Sequence, residues 1–414
     1  MATSGSHNFN VTGNDIITES LGLIGIYSPG ESIDASESAD ALRTLNMMLK
    51  ALHSKFGLWL HRELALFLQD DTISYSIGPT GTHCTPSFIK TEIATAADDA
   101  ATSVIVDSIT GFGNTFDRNG ISEASTPTGA GSLTLGGALV TNGIANLSGQ
   151  RKILIYSDAD DSGVSFSITG QDASGIAVTE TITGPNTTTV YSTYAYKTIT
   201  AVTIDGAGTG NIEVGQVGDP IGIEVDDGTV HWTYISGAVS TTTLTLVTAL
   251  DDAAAVDNHV YSYTAKTARP IEIIEARLHD ANDLERPLGV VGKLDYKALS
   301  NKTSEGPPNQ IYYDKQLTNG VMYVWPEPDD VQNYIKFTAK VPIEDIDNLT
   351  DDFELAQEFY EAIAWNLAVR LAPKYGKPID PTMLLMARDM LEDAMTSDSE
   401  NTSTFIQIDR SGHA

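Results

Sequence analysis

The chain has 414 residues, with 55 acidic and 24 basic side chains, a formal charge of −31 and one cysteine, Cys84. That length allows two or three domains. A hydrophobic fraction of 41% excludes wholesale disorder, and a single thiol excludes a disulfide framework or a cysteine zinc site. So acidic a surface repels nucleic acid. No run of about 18 apolar residues predicts a membrane span. The opening "MATSGSHNFNVTGND" lacks the basic-then-apolar pattern of a secretory signal.

The first elements read as helices. In "TGNDIITESLGLIG", Thr12 or Asn14 is a cap, and Ile17, Leu21 and Ile24 follow at helical spacing. A Pro-Gly turn comes next. "DASE" (34–37) then fits a capping box, Asp34 accepting from the backbone and Glu37 reaching back. The helix it opens places Leu42, Leu45, Leu49, Leu52 and Phe56 on one stripe and is expected to end at Gly57.

From about residue 64 the pattern becomes strand-like. "ALFLQDDTISYSIG" alternates around an Asp-Asp turn, and runs such as "SVIVDSI", "KILIYS", "VHWTYIS" and "HVYSYTA" follow between Gly, Asn and Asp turns. The composition shifts at 114–216, which is Gly-, Ser- and Thr-rich. This stretch reads as a β-sandwich inserted on a loop of a second β domain, 71–113 plus 217–267. Residues 268–346 are mixed, with "GVMYVWPEPDD" and "NYIKFTAKVP" read as a hairpin. Helices then return. Leu355, Phe359, Ile363 and Leu367 make one stripe, Pro373 breaks the helix and Gly376 caps its exit. In the next helix Asp380 is the cap, Pro381 the first helical residue, and Leu384, Ala387, Leu391 and Ala394 the apolar face.

Amphipathic helices thus open and close the chain, and none can bury its stripe alone. The fold class expected is α+β: one helical bundle built from both chain ends, with a nested all-β insertion carrying an Ig-like sandwich. The expected divisions are 1–70, 71–113, 114–216, 217–267, 268–395 and a tail at 396–414.

Motifs for catalysis are missing: there is no G-x-S-x-G, P-loop, G-x-G-x-x-G after a strand, or H-E-x-x-H. "DADDSG" (158–163) imitates half a calcium loop through Asp158, Asp160, Ser162 and Gly163. Its twelfth position is Thr169 instead of Glu, so a hairpin turn is the better reading. The pair His83-Cys84 reads as loop, and His53 and His61 as surface positions. No catalytic residue, metal site or cofactor is expected, and the protein reads as non-enzymatic.

The residues 16–60 resemble the start of head-to-tail adaptor proteins of short-tailed bacteriophages, also called tail accessory factors, head-completion proteins or tubular tail protein A. The resemblance lies in Leu21-Gly22, the turn at Gly30, and Leu45-Asn46-Met47-Met48-Leu49. "NLAVRLAPKYG", from Asn366 to Gly376, is similar to the family's second hallmark, and "YYDKQLTNGVMYVWPEPDD" to a hairpin of its larger members. Together these cover under half of the chain. The resemblance implies a virion protein at the head–tail junction, made in the host bacterial cytoplasm. It would form a homo-oligomeric, twelve-fold ring between the portal protein and the tail or nozzle proteins. DNA would pass through its channel without sequence-specific binding, and no membrane would be involved. Interface positions expected on this basis are Leu42, Leu45, Leu49, Phe359, Ile363 and Leu367 in the bundle. Phe405 and Ile406 would act in the tail as a strand added to a neighbour's sheet edge. The alternatives are a virion decoration or glycan-binding protein, for which Tyr191, Tyr194 and Tyr196 are the aromatic cluster, and a peptidoglycan hydrolase.

Overall fold

The computed structural model describes residues 9–28, 30, 31, 33–52, 60–282 and 284–398. Two compact units divide the chain. One holds residues 1–61 and 341–414, the other Arg62–Lys340.

The first unit is helical. Its elements are α1 (Gly13–Leu23) and α2 (Ala35–Leu52) from the N-terminal end, then a 3-10 turn (Gln357–Phe359) running into a helix Tyr360–Leu371, and a last helix Pro381–Ser397. Thr12 caps α1 in a reciprocal box with Asp15: the Asp15 N–H donates to Thr12 Oγ1 (3.3 Å) and the Thr12 N–H to Asp15 Oδ2 (2.9 Å). At α2 only half of the expected box forms. The Ser36 N–H donates to Asp34 Oδ1 (2.8 Å), whereas Glu37 accepts from the Tyr27 hydroxyl and does not reach back. The helix Tyr360–Leu371 gives way to a 3-10 turn over Ala372–Tyr375 that contains Pro373. Gly376 closes it in the left-handed conformation, φ 65°. The expected helix end at Phe56 and Gly57 lies outside the described residues.

The second unit is built from strands. An eight-stranded sheet runs in the order Ser74–Ile77, Gly320–Trp325, Gln310–Asp314, Glu285–Val290, Glu272–His279, Tyr334–Lys340, His61–Phe67, Cys84–Thr85. A helix, α3 (Lys293–Ala298), lies in the crossing between Glu285–Val290 and the parallel strand Gln310–Asp314. A six-stranded sheet collects strands from 89–106 and 220–262. Its two ends meet: Ile235 bridges Leu246, and the Val247 N–H donates to Tyr234 O (2.9 Å), leaving a nearly closed barrel. Ile93, Val104, Ile221, Ile223, Leu244 and Val260 form its core. Between these strands in sequence, Asp117–Ser125 to Ile212–Gln216 form a further sheet of eight strands around Ile153, Phe166, Ile168, Tyr196 and Val214.

The protein is therefore mostly β, 38% strand against 19% helix, with three large sheets, one a nearly closed barrel. This overturns the expected class of a helical bundle with a nested β insertion. The strand runs in 272–340, assigned to the helical part, instead pair with Ser74–Ile77 and His61–Phe67 in one sheet. Gly320–Trp325 and Tyr334–Lys340 are not a hairpin. The first pairs with Gln310–Asp314 and Ser74–Ile77, the second with Glu272–His279. The Ig-like sandwich is also corrected, because the strands of 117–216 belong to one hydrogen-bonded sheet. Nor does the 158–163 segment turn a hairpin, since the strand Thr189–Ile204 lies between the two it joins. Alternation along a strand fixes which face is buried, but it does not name the neighbouring strand.

Polar groups tie the inserted sheet to the barrel. Arg151, on the strand Ile144–Ser157, is fully buried and donates from Nη2 to Asp219 Oδ1 at 2.5 Å. Asp219, just before the barrel strand Pro220–Glu224, also accepts from Thr115 Oγ1 (2.8 Å). Gln216 donates to Thr115 O (2.6 Å) and Ser148 Oγ (2.8 Å). The two connections of the insert are thereby held side by side. Burial pushes the Arg151 guanidinium pKa down, and Asp219 opposes it. Removing one member of a buried pair strands the other charge. Asp219→Ala should therefore cost about 3–5 kcal/mol in urea unfolding, whereas Arg151→Met combined with Asp219→Leu should recover most of that loss. A double variant as unstable as the single would refute this role.

Candidate interaction surface

In the helical unit the α1 stripe places Ile17 and Leu21 fully inside, and α2 adds Leu45, Met48 and Leu49. Phe359, Ile363 and Leu367 enter the same core from the C-terminal end. The helix Tyr360–Leu371 takes the label α4, and Pro381–Ser397 the label α5. Ser20 Oγ on α1 donates to Ala364 O on α4 (3.0 Å). Asn366 Nδ2 donates to both Ala362 O and Ala387 O (2.8 Å each), fixing α5 on α4. Asn46 exchanges two hydrogen bonds with the main chain of Ile346, donating at 2.8 Å and accepting at 3.0 Å. Asn46 and Asn366, both quoted from motifs, are thus structural clamps.

The expected interface residues divide accordingly. Leu45, Leu49, Phe359, Ile363 and Leu367 are 0–2% exposed and belong to the core, with Leu42 packed at its margin. The first five have no surface to offer a partner. A stripe read from sequence shows which face is apolar, and the tertiary fold spends that face internally. Phe405 and Ile406 lie outside the described residues.

A surface that sequence reading missed lies beside this core. Phe9, Val11, Ile16, Leu23, Tyr360 and Trp365 line an open groove of about 570 Å³ between α1 and α4. Phe9 is 68% exposed, with its ring tilted against Tyr360 at 6.4 Å between centroids. The Tyr360 hydroxyl donates to Asn10 Oδ1 (3.1 Å), and burial raises its pKa. Asp15, Glu19 and Glu361 add acids to the lining. On α5, Leu384 and Leu385 are 55% and 56% exposed, so Leu384 does not join the inward face expected of it. An open apolar groove rimmed by acids is a candidate contact surface.

Other candidate chemistry dissolves in the structure. Cys84 is fully buried, and burial pushes its thiol pKa up, away from the reactive thiolate. His83 stacks on Trp232 at 3.7 Å, with Nδ1 2.6 Å from the Tyr263 hydroxyl; burial lowers its pKa well below the ordinary value. The acids of 158–163 are occupied by protein donors. Asp158 accepts from the Asn211 N–H (2.7 Å), Asp160 from Ser162 Oγ (2.7 Å) and Asp161 from Ser157 Oγ (2.5 Å). Among the described residues no group of three or more His, Cys, Asp or Glu is placed to hold a metal, and no helix is long and apolar enough to cross a membrane. Tyr196 is buried with its hydroxyl on Glu180 (3.0 Å), so of the tyrosine cluster Tyr194 is the exposed member.

No family model matches the chain, and neither a curated protein nor a solved structure matches it.

The division between core and surface is measurable. Leu367→Ala should destabilise the protein by about 2–5 kcal/mol through the cavity it leaves. Leu384→Ser should change stability by less than about 0.5 kcal/mol. Urea melts that gave equal losses would contradict the assignment.

Proposed function

We propose that the protein is a non-enzymatic structural component of a short-tailed phage virion, an adaptor ring joining the portal to the tail and lengthening the DNA channel. The observation that carries this reading is the helical unit made from both chain ends, with an apolar groove left open on α1 and α4. The unit contains the two stretches, 16–60 and 366–376, that resemble the adaptor family. In this reading the groove accepts an apolar segment of a neighbouring subunit or of the portal. Basic flanks on that segment would complement Asp15, Glu19 and Glu361.

The charge has a use in the same account. With 55 acids against 24 bases, a channel lined by this chain offers phosphate few cations to bind, so DNA slides instead of sticking.

The test is electron microscopy of the purified protein mixed with the portal protein of its own phage. Twelve-fold rings seated on the portal are expected. Glu19→Lys with Glu361→Lys should abolish them without altering the melting of the free protein. Absence of any complex with the unsubstituted protein would overturn the proposal.

A further inference from the structure

A second pocket, of about 350 Å³, lies on the eight-stranded sheet, lined by residues of α3 and of the strands Gln310–Asp314 and Gly320–Trp325. One wall is aromatic. Tyr312 and Tyr323 stack with centroids 5.7 Å apart and planes 12° from parallel, and Tyr296 packs 5.4 Å from Tyr323 and 5.8 Å from Tyr312. Lys293, Lys297 and Lys302 line the same pocket, with Asp314 as its one acid. In a chain with more than two acids for every base, three lysines at one small pocket reverse the prevailing sign.

Lys302 has a structural duty. It lies 4.9 Å above the Tyr296 ring and donates to Tyr296 O (2.9 Å) and Leu299 O (3.0 Å), closing the end of α3. Lys293 and Lys297 are exposed. The second observation concerns Tyr296 itself. It is only 4% exposed, and its hydroxyl has no hydrogen-bond partner among the described residues. Buried phenols ordinarily find one. Its ring belongs to the pocket lining, whereas the hydroxyl oxygen is buried out of solvent reach.

We propose that this pocket binds a small ring-bearing organic anion of the nucleoside monophosphate class. The ring lies against the tyrosine faces. The phosphate sits at the Lys293 and Lys297 ammonium groups. The size suits one such molecule, and aromatic faces beside lysines are the combination that holds a base and its phosphate. The acidity of the rest of the chain does not forbid it, because charges more than about 8 Å away are screened at physiological salt. A long strand would have to cross that acidic surface, which favours a free mononucleotide over nucleic acid.

The test is isothermal titration of the full chain with dTMP, thymidine, inorganic phosphate and a ten-residue oligothymidylate. Saturable one-to-one binding of dTMP is expected, at least tenfold tighter than thymidine or phosphate. Lys293→Gln with Lys297→Gln should weaken it tenfold or more. Absence of saturable dTMP binding, or equal binding by the lysine variant with unaltered circular dichroism, overturns the site. Phosphate binding as tight as dTMP overturns the role of the ring, and tighter binding of the oligothymidylate overturns the small-molecule assignment.

Discussion

One apolar core joins residues from the two ends of the polypeptide, and the arrangement of the helical unit depends on it. Ile17 and Leu21 on α1, Leu45 and Leu49 on α2, and Ile363 and Leu367 on α4 are each no more than 1% exposed. The helices α1 and α4, of 11 and 12 residues, are marginal in isolation, and α2 carries an apolar stripe that needs a cover. Each forms because the others cover its stripe. The hydrogen bonds that cross this core, Ser20 to Ala364 and Asn46 to Ile346, join positions 344 and 300 residues apart. Forming the unit therefore requires a long loop closure, and contacts of this sequence separation are slow to form. The chain leaves the unit near Leu60 and returns at Val341, whose N–H donates to Leu60 O (3.0 Å).

The β-rich unit uses a second device of the same kind at smaller scale. Its inserted sheet begins and ends beside one buried ion pair, Arg151 with Asp219, supported by Thr115 and Gln216. A buried pair gives weak net stability but a strong penalty for mispairing. That suits a stem, where the orientation of two connections has to be fixed. An aromatic cluster of Phe67, Phe88, Trp232, Tyr261 and Tyr334 completes the packing beside the barrel, with Phe67 and Tyr261 at 4.8 Å.

Local signals in the sequence hold where a single element carries them. Thr12 and Asp380 cap their helices, and Gly376 ends another. Such signals fail where a partner distant in sequence decides the outcome. Glu37 was claimed by Tyr27, Tyr334–Lys340 by Glu272–His279, and the overall balance of helix and strand by the sheet those strands build. The candidate surfaces were hidden for a related reason. Phe9 and Trp365 look like ordinary apolar residues until the fold leaves them at a groove. Tyr296, Tyr312 and Tyr323 are brought to one pocket by a helix and two strands, with no shared motif to announce it.

Native-state hydrogen exchange on an Ile17→Ala variant tests the shared core most directly. If the two chain ends fold as one cooperative unit, losing this side chain from α1 should accelerate exchange of the α4 amides together with those of α1, while the sheet of 117–216 keeps its protection. Faster exchange confined to α1, with α4 unchanged, would contradict the account.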